Sequence, residues 1–282
     1  MAEPVKHPPP ATGPRILPST MRVFANPAQP NWYGLWTLYC RETLRFIKVW
    51  TQTLLGPVIT SLLFLAVFAL ALGRSDQIIG GMPYIQFLAP GLIMMAVAQN
   101  AYANTSSSIF VAKMQGNIVD ALLPPLSANE LAIGFALAGV TRGVLIAYAV
   151  GLAMSMFVPL GVHALAVAAF YVLAGGLMLA LLGLMTAIWA EKYDQLQAVT
   201  NFVITPLAFL SGSFYSIERL PEGWLFVAHA NPFFYMIDGF RYGLTGHAEG
   251  SFATGAVTLV AADIVLWLVC RQMLAKGYRL KA

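Results

Sequence analysis

Residues 164–189 read ALAVAAFYVLAGGLMLALLGLMTAIW, a run of 26 residues without a charged side chain. At 1.5 Å per residue, a helix of this length would extend about 39 Å, which exceeds the roughly 30 Å hydrocarbon thickness of a bilayer. The run therefore predicts a helix that spans a membrane. Gly175, Gly176 and Gly183 lie inside it, where small residues favour close helix packing rather than phosphate binding.

The composition of the whole chain also predicts a membrane protein. Hydrophobic residues make up 59% of the 282 residues and charged residues 10%, with a mean hydropathy of +0.71. A soluble domain has about a quarter of its residues charged, and one this apolar would expose its excess as adhesive patches. These values exclude a soluble enzyme, a nucleic-acid-binding protein and a secreted disulfide scaffold.

Five further apolar runs accompany the first, so we predict an all-α integral membrane protein with six transmembrane helices. The runs lie near 54–73, 84–104, 130–158, 164–189, 197–214 and 252–271. Three segments are expected: a disordered tail over 1–30, which carries eight prolines, an amphipathic helix over 31–52 and a transmembrane domain over 53–282. The tail lacks the apolar core of a signal peptide, so we expect it to stay uncleaved.

The positions of the basic residues predict the orientation. If the N-terminus is cytoplasmic, Arg74, Arg219 and Arg241 lie outside and Arg142 lies within a helix, which leaves twelve of the sixteen Lys and Arg residues in the cytoplasm. The reversed topology would violate the positive-inside rule. We therefore expect a multi-pass protein of a bacterial inner membrane with both termini in the cytoplasm.

The segment before the first run has two faces. Aromatic residues recur at helical spacing from Trp32 to Trp50, whereas Arg41, Arg45 and Lys48 occupy another face. Such a helix can lie flat at the membrane interface, with its cations directed to anionic lipid headgroups. The alternative is that it forms the cytoplasmic end of the first spanning helix.

The connection over 105–129 carries strong local helix signals. Residues 115–123 can form a short helix that Pro124 and Pro125 would stop. Ser127 and Glu130 then form an S-x-x-E capping box that starts the third span. We interpret the connection as a cytoplasmic docking element; the alternative is an ordinary loop.

The outer connection over 215–250 is too apolar for a plain loop, yet Pro and Gly residues interrupt it. The run over 233–244 has 12 residues, which is too short to cross a bilayer. We predict two short re-entrant helices that dip into the outer leaflet. Backbone of this kind needs shielding by protein or a wet cavity.

The sequence predicts no catalytic residue, no metal site and no nucleotide site on this chain. It contains no Gly-Lys dipeptide and hence no Walker A loop. Gly212, Ser213 and His247 could be drawn as a hydrolase site, but nothing in the sequence brings them together. Cys40 and Cys270 form no CxxC motif and are expected to be reduced.

Arg142 and Asp263 are two charges at membrane depth, and such charges are costly and by default functional hypotheses. Counted from the helix ends at 1.5 Å per residue, their depths are close enough for an ion pair. Two alternatives remain open: contact with substrate, or a proton relay in an ion-gradient-driven secondary transporter. A passive membrane scaffold is a third interpretation, for which the re-entrant segment has no obvious use.

Uncharged polar residues also gather within two of the runs. They could line a translocation path or form hydrogen bonds between helices, and the sequence does not separate these readings. They are Gln99, Asn100, Tyr102, Asn104, Thr200, Asn201 and Thr205.

Three motifs resemble those of a known family. The stretch 231–243, NPFFYMIDGFRYG, which contains Asn231, Pro232, Asp238 and Arg241, resembles the signature of ABC-2 type transport permeases. The segments 90–95, PGLIMM, and 100–104, NAYAN, are similar to the YadH-like branch of bacterial inner-membrane permeases. The resemblance extends from about Trp36 to the C-terminus and does not identify a substrate.

The resemblance implies a function and partners. Such permeases are homodimers that dock on separate ATP-binding subunits, which would hold the ATP and Mg²⁺, and they export amphiphilic, lipid-like, glycan or drug-like substrates. Segment 31–51 would be their interface helix, 113–125 their coupling helix and 215–245 their re-entrant helices. The expected contacts with the ATP-binding subunit are Asn117, Asp120, Leu122 and Leu123.

Overall fold

The computed structural model describes residues 30–72, 78–118 and 125–279, and these fold almost entirely into helices. The helices are α1 (Trp32–Ile47), α2 (Gly56–Leu72), α3 (Tyr84–Met114), α4 (Ala128–Ser155), α5 (Leu165–Trp189), α6 (Tyr193–Val199), α7 (Thr205–Leu210), α8 (Glu222–Ala230), α9 (Pro232–Thr245) and α10 (Phe252–Lys276). Short π-helical segments, Thr51–Leu55 and Thr200–Ile204, precede α2 and α7, and a 3₁₀ turn, Ile217–Arg219, precedes α8. A hairpin of two-residue strands, β1 (Ile78–Ile79) and β2 (Met82–Pro83), leads into α3.

Four helices are long and apolar enough to cross a membrane: Thr51–Ala71, Ala128–Ser155, Leu165–Trp189 and Phe252–Lys276. They confirm an all-α membrane protein with several spans. Helix α3 is longer still, at 31 residues, but carries more polar side chains. The run expected over 197–214 is divided among α6, a π segment and α7. The count of six spans therefore stays a prediction.

Helices α3 and α5 form the centre of the molecule, and α4, α9 and α10 pack around them. Small residues permit this packing. A methyl group on Gly183 would lie 2.5 Å from the Tyr102 carbonyl oxygen, and one on Gly139 would lie 2.7 Å from Ala180 Cβ. The glycines inside α5 therefore serve helix packing, as their position in an apolar run indicated.

Helix α2 lies at the periphery. Only 11% of its spanning window is buried, against 56% for α5. Its surface is therefore left to lipid or to another polypeptide.

Helix α1 is separate from the first span, because a turn at Lys48 and Val49 and a π segment divide them. It packs on α4 with Leu38, Glu42 and Phe46 buried. Its aromatic residues Trp32, Tyr33 and Trp36 are exposed, as expected of side chains in a headgroup layer.

Candidate functional site

The first group of interest, here called the α1 clamp, is centred on a buried carboxylate. Glu42 is only 3% exposed, and Ser108 of α3 donates a hydrogen bond to its Oε2. Arg41 and Arg45 supply the counter-charge, with N–O distances of 3.1 and 3.2 Å. Arg45 also donates to the carbonyl oxygen of Asn104 at 2.7 Å and to its Oδ1 at 3.2 Å. The clamp fastens the middle of α1 to α3.

These contacts bear on the basic residues of α1 and the turn after it. We expect Arg41, Arg45 and Lys48 to reach lipid headgroups, and all three side chains are exposed. Arg41 and Arg45 also bond Glu42, whose buried charge needs a partner. Contact of the three residues with lipid stays a prediction.

A second group, here called the capping latch, joins the starts of α1 and α4. The predicted capping box is formed: Glu130 N donates to Ser127 Oγ at 3.3 Å, and Ser127 N donates to Glu130 Oε2 at 2.6 Å. The other carboxylate oxygen, Oε1, accepts a hydrogen bond from Asn31 N at 2.5 Å. Asn31 in turn caps α1 by accepting from Gly34 N at 2.9 Å. One carboxylate therefore holds two helix starts together.

The predicted contact residues for a partner lie near this latch. Asn117 is exposed in the turn that follows α3. Asp120, Leu122 and Leu123 lie outside the described residues. The carbonyl oxygen of Pro125, the first residue of the described range 125–279, accepts a hydrogen bond from Asn31 Nδ2 at 3.4 Å. The latch is thus attached directly to the end of the predicted docking element.

Asn100 and Gln99 border a cavity of about 180 Å³ between α2 and α3, here called the α2–α3 cavity, together with Thr60, Ser61 and apolar side chains. Asn100 Oδ1 accepts a hydrogen bond from the Arg142 guanidinium at 2.9 Å, although Arg142 itself does not line the cavity. The cavity thus offers two amides and two hydroxyls among apolar side chains.

The remaining polar residues of the predicted path are not all at this cavity. Tyr102 accepts from Thr186 Oγ1 at 3.1 Å and donates to the Leu196 carbonyl oxygen at 3.4 Å, so it links α3, α5 and α6. Asn104 belongs to the α1 clamp. Thr200, the first residue of the π segment, donates to the Leu196 carbonyl oxygen in the preceding α6. Asn201 is exposed and Thr205 half-buried, and the cavity is lined by α2 and α3 rather than by them.

The expected ion pair between Arg142 and Asp263 is not formed. Within the described part of the chain, their charged atoms do not approach to 4.0 Å, and Arg142 bonds Asn100 instead. Equal depth did not ensure that the two side chains faced each other. Asp263 is 8% exposed, and its Oδ1 has no hydrogen-bond partner among the described residues.

A third group, here called the arginine anchor, is built from the motif over 231–243. Arg241 is fully buried and donates to the carbonyl oxygens of Gly212 at 2.7 Å and of Phe87 at 3.3 Å. Its guanidinium lies 3.8 Å from the centre of the Phe87 ring and 3.6 Å from Asp238 Oδ1. The anchor thus ties α9 to α3 and to the turn after α7.

The other motif residues complete this arrangement. Asp238 accepts hydrogen bonds from Glu249 N and Gly250 N, both at 2.9 Å. Asn231 caps α9 at Phe233 N, 3.0 Å away, and donates to the Leu207 carbonyl oxygen at 2.8 Å; Pro232 occupies the first turn.

Ser213, which could be drawn as a nucleophile, is bonded to the backbone of its own segment. The Ser213 hydroxyl is buried and donates to the Ala208 carbonyl oxygen at 2.8 Å. Over residues 30–72, 78–118 and 125–279, no three His, Cys, Asp or Glu residues are arranged to hold a metal ion.

The sequence is similar to known transport proteins. Residues 33–245 match the family model described as ABC-2 type transporter. The inner membrane transport permease YadH of Escherichia coli (strain K12) is 37% identical over 251 residues, which cover 89% of this chain and 98% of that protein. Nodulation protein J of Rhizobium leguminosarum bv. viciae is 26% identical over 248 residues, which cover 87% of this chain and 94% of that protein.

Proposed function

We propose a function from the premise that the chain belongs to the ABC-2 type transporter family. As a member it is a multi-pass transport permease of the inner membrane. The proposal is that it forms the membrane subunit of an ATP-driven exporter, and that it moves an amphiphilic, lipid-like, glycan or drug-like substrate outward. A separate ATP-binding subunit would bind ATP and Mg²⁺ and hydrolyse the nucleotide.

The proposed membrane arrangement has six spans and cytoplasmic termini. Helix α3 would be the second span, and α6, the π segment and α7 together would form the fifth. Helices α8 and α9, with 9 and 14 residues, would be the re-entrant pair. The burial of Asp238 and Arg241 supports this assignment, because polar groups at membrane depth need protein around them.

The capping latch is the observation that carries the proposal. Glu130 binds Asn31, the N-cap of α1, and Ser127, the N-cap of α4, directly after the predicted docking element. A displacement of that element by the ATP-binding subunit would move α1 and α4 together. The α1 clamp would pass the motion on to α3, which borders the α2–α3 cavity at Asn100. Contacts that differ between two states are what such a shift requires.

A second copy of this chain would complete the path. Helix α2 is the least buried candidate span, and it borders the cavity with Thr60 and Ser61. A homodimer that packs along α2 would cover this surface. The cavity residues Gln99 and Asn100, with Arg142 behind them, would then face the corresponding side of the other subunit.

An ion-gradient-driven secondary transporter is the alternative. The buried, unbonded Oδ1 of Asp263 favours it, because a carboxyl group in that position can bind and release a proton. Arg142 would be the second charge of such a relay.

The deciding experiment is purification of the tagged chain from its native membranes in a mild detergent. We expect a protein with a Walker A motif in about equimolar amount, and ATP hydrolysis that the permease stimulates after reconstitution. The matched variant is Glu130→Ala, which should reduce the stimulation without preventing membrane insertion. A monodisperse permease with no ATPase bound, whose transport follows an ion gradient and is lost in Asp263→Asn, would contradict the proposal.

A further inference from the structure

A large apolar groove lies away from the clamp, latch and anchor. It is formed by the C-terminal halves of α5 and α10 and by the π segment that follows α6, and its volume is about 620 Å³. Leu182, Met185 and Met273 form its floor, and Val203 and Val269 stand at its open side with about two-fifths of their surface exposed. This volume is within the range of small-molecule sites in proteins.

One end of the groove is closed by the chain itself. Helix α10 stops at Gly277, whose φ of +62° reverses the chain, and Tyr278 N donates to the Met273 carbonyl oxygen at 3.0 Å. The reversal brings Tyr278 to the rim of the groove, beside Trp189 at the end of α5. Arg279 fixes the position by donating to the Trp189 carbonyl oxygen at 3.1 Å. Tyr and Trp at the end of a span mark the headgroup level of a membrane.

The charge at this rim is positive and available to a ligand. Lys276 borders the groove and is exposed. Within the described ranges, no carboxylate lies within 4.0 Å of its ammonium group, whereas Arg279 is paired with Glu191 at 3.4 Å. Gln272 and the Tyr278 hydroxyl add neutral hydrogen-bond donors beside Lys276.

We propose that this groove binds an anionic phospholipid, with one acyl chain along the apolar floor and the phosphate at Lys276. The open side at Val203 and Val269 lets a chain enter from the hydrocarbon layer, and the closed end places the headgroup among Lys276, Gln272 and Tyr278. Basic pockets between spanning helices bind anionic lipid headgroups in this way. The assignment to the cytoplasmic leaflet rests on the proposed orientation of the exporter.

The test measures lipid binding to the delipidated, purified chain by native mass spectrometry, with no ATP-binding subunit present. Phosphatidylglycerol and phosphatidylcholine of identical acyl chains are the two probes. We expect tighter binding of phosphatidylglycerol to the wild type. In Lys276→Gln that preference should fall about fivefold, the effect of one basic residue near an anionic headgroup, while phosphatidylcholine binding persists and shows that the variant is folded.

Two further variants make the test specific. Val203→Trp puts an indole at the open side and should weaken binding of both lipids. Arg219→Gln removes an exposed charge in the 3₁₀ turn before α8, which is not at the groove, and should leave both unchanged. Inorganic phosphate should not displace the lipid, since the acyl chain supplies most of the contact.

The proposal is overturned if Lys276→Gln and Val203→Trp bind both lipids as the wild type does, if Arg219→Gln loses as much preference as Lys276→Gln, or if phosphate alone displaces the lipid. Because the assay contains no ATPase, its result is independent of the exporter proposal. If the groove binds no lipid, the proposed transport function is unaffected. If the permease has no ATPase partner, the groove can still bind lipid.

Discussion

The α1 clamp and the arginine anchor each bury a carboxylate beside an arginine, but they differ in access to water. The side chains of Arg41 and Arg45 are 50% and 39% exposed, whereas those of Arg241 and Asp238 are 0% and 5% exposed. An exposed guanidinium that leaves its partner is solvated at once, while a buried one has no water to replace the bond. The two carboxylates are equally buried, with side-chain exposures of 4% for Glu42 and 5% for Asp238, so the difference lies in the arginines. We therefore expect the clamp to yield more readily than the anchor.

The partners of the two arginines support the same distinction. Arg241 bonds backbone carbonyl oxygens of two separate segments, at Phe87 and Gly212, which fixes those segments relative to α9. The clamp bonds mainly side chains, which can change rotamer without a change of backbone. Motion during transport should therefore be concentrated at the clamp and latch.

The largest effect is expected from Arg241→Met, which tests whether the anchor is permanent. The change leaves Asp238 buried without its counter-charge and two carbonyl oxygens without their donor, so we expect a loss of about 3–5 kcal/mol in stability. Thermal unfolding followed by size-exclusion chromatography in detergent measures it. The exposed Arg219→Met is the control. Equal melting of Arg241→Met and the wild type would show that the anchor does not hold the fold.

Glu42→Gln tests the clamp and should have an intermediate effect. It removes the charge that Arg41 and Arg45 share, so we expect about 1.5–3 kcal/mol of destabilisation, the range for a hydrogen bond to a charged group. Thermal unfolding is the measurement, and the exposed Glu222→Gln is the matched control. A loss as large as that of Arg241→Met would mean that the clamp is as rigid as the anchor, and the contrast between them would fail.

We expect loss of the latch to lower the stability less than loss of the clamp, and to weaken the coupling between the permease and ATP hydrolysis more. Glu130→Ala removes the acceptor for Asn31 N and Ser127 N, and loss of a cap costs about 1 kcal/mol. We expect nearly normal melting but, in the proposed complex with an ATP-binding subunit, reduced stimulation of ATP hydrolysis. Asn31→Ala is the comparison, because it keeps the backbone N–H that Glu130 accepts and removes only the side-chain bonds to Gly34 N and to the Pro125 carbonyl oxygen; its stimulation should therefore exceed that of Glu130→Ala. Full stimulation in Glu130→Ala would remove the latch from the path of motion.

The smallest effect belongs to Arg41→Gln. Its side chain is half exposed, and Arg45 remains to neutralise Glu42, so the expected change in stability is below about 0.5 kcal/mol. Melting curves at low and high salt provide the measurement. A loss comparable to that of Glu42→Gln would mean that Arg41, rather than Arg45, carries the clamp.

Much of the fold could be read from hydropathy, because spans obey a local rule of length and polarity. The expected runs at 130–158, 164–189 and 252–271 agree with α4, α5 and α10 to within a few residues at most boundaries. The capping box at Ser127 and Glu130 could also be predicted, because its pattern spans only four residues, and it is formed.

The contacts between distant segments were harder to predict from the sequence. The depth of Arg142 follows from residue counting, but the direction of its side chain around the helix axis depends on packing, so Asn100 rather than Asp263 became its partner. Glu42 stood three residues before Arg45, a signal that could have indicated an intrahelical pair. The third member of that group, Ser108, is 66 positions away and left no local pattern.

The exposed aromatic face of α1 has a practical consequence. Two of the six tryptophans of the chain, Trp32 and Trp36, lie in α1, and both are more than half exposed. Indole emission depends on the polarity around the ring, so α1 carries its own optical reporter at the surface where a bilayer meets water. Withdrawal of the helix from the headgroup layer would shift the emission to longer wavelengths without any attached dye.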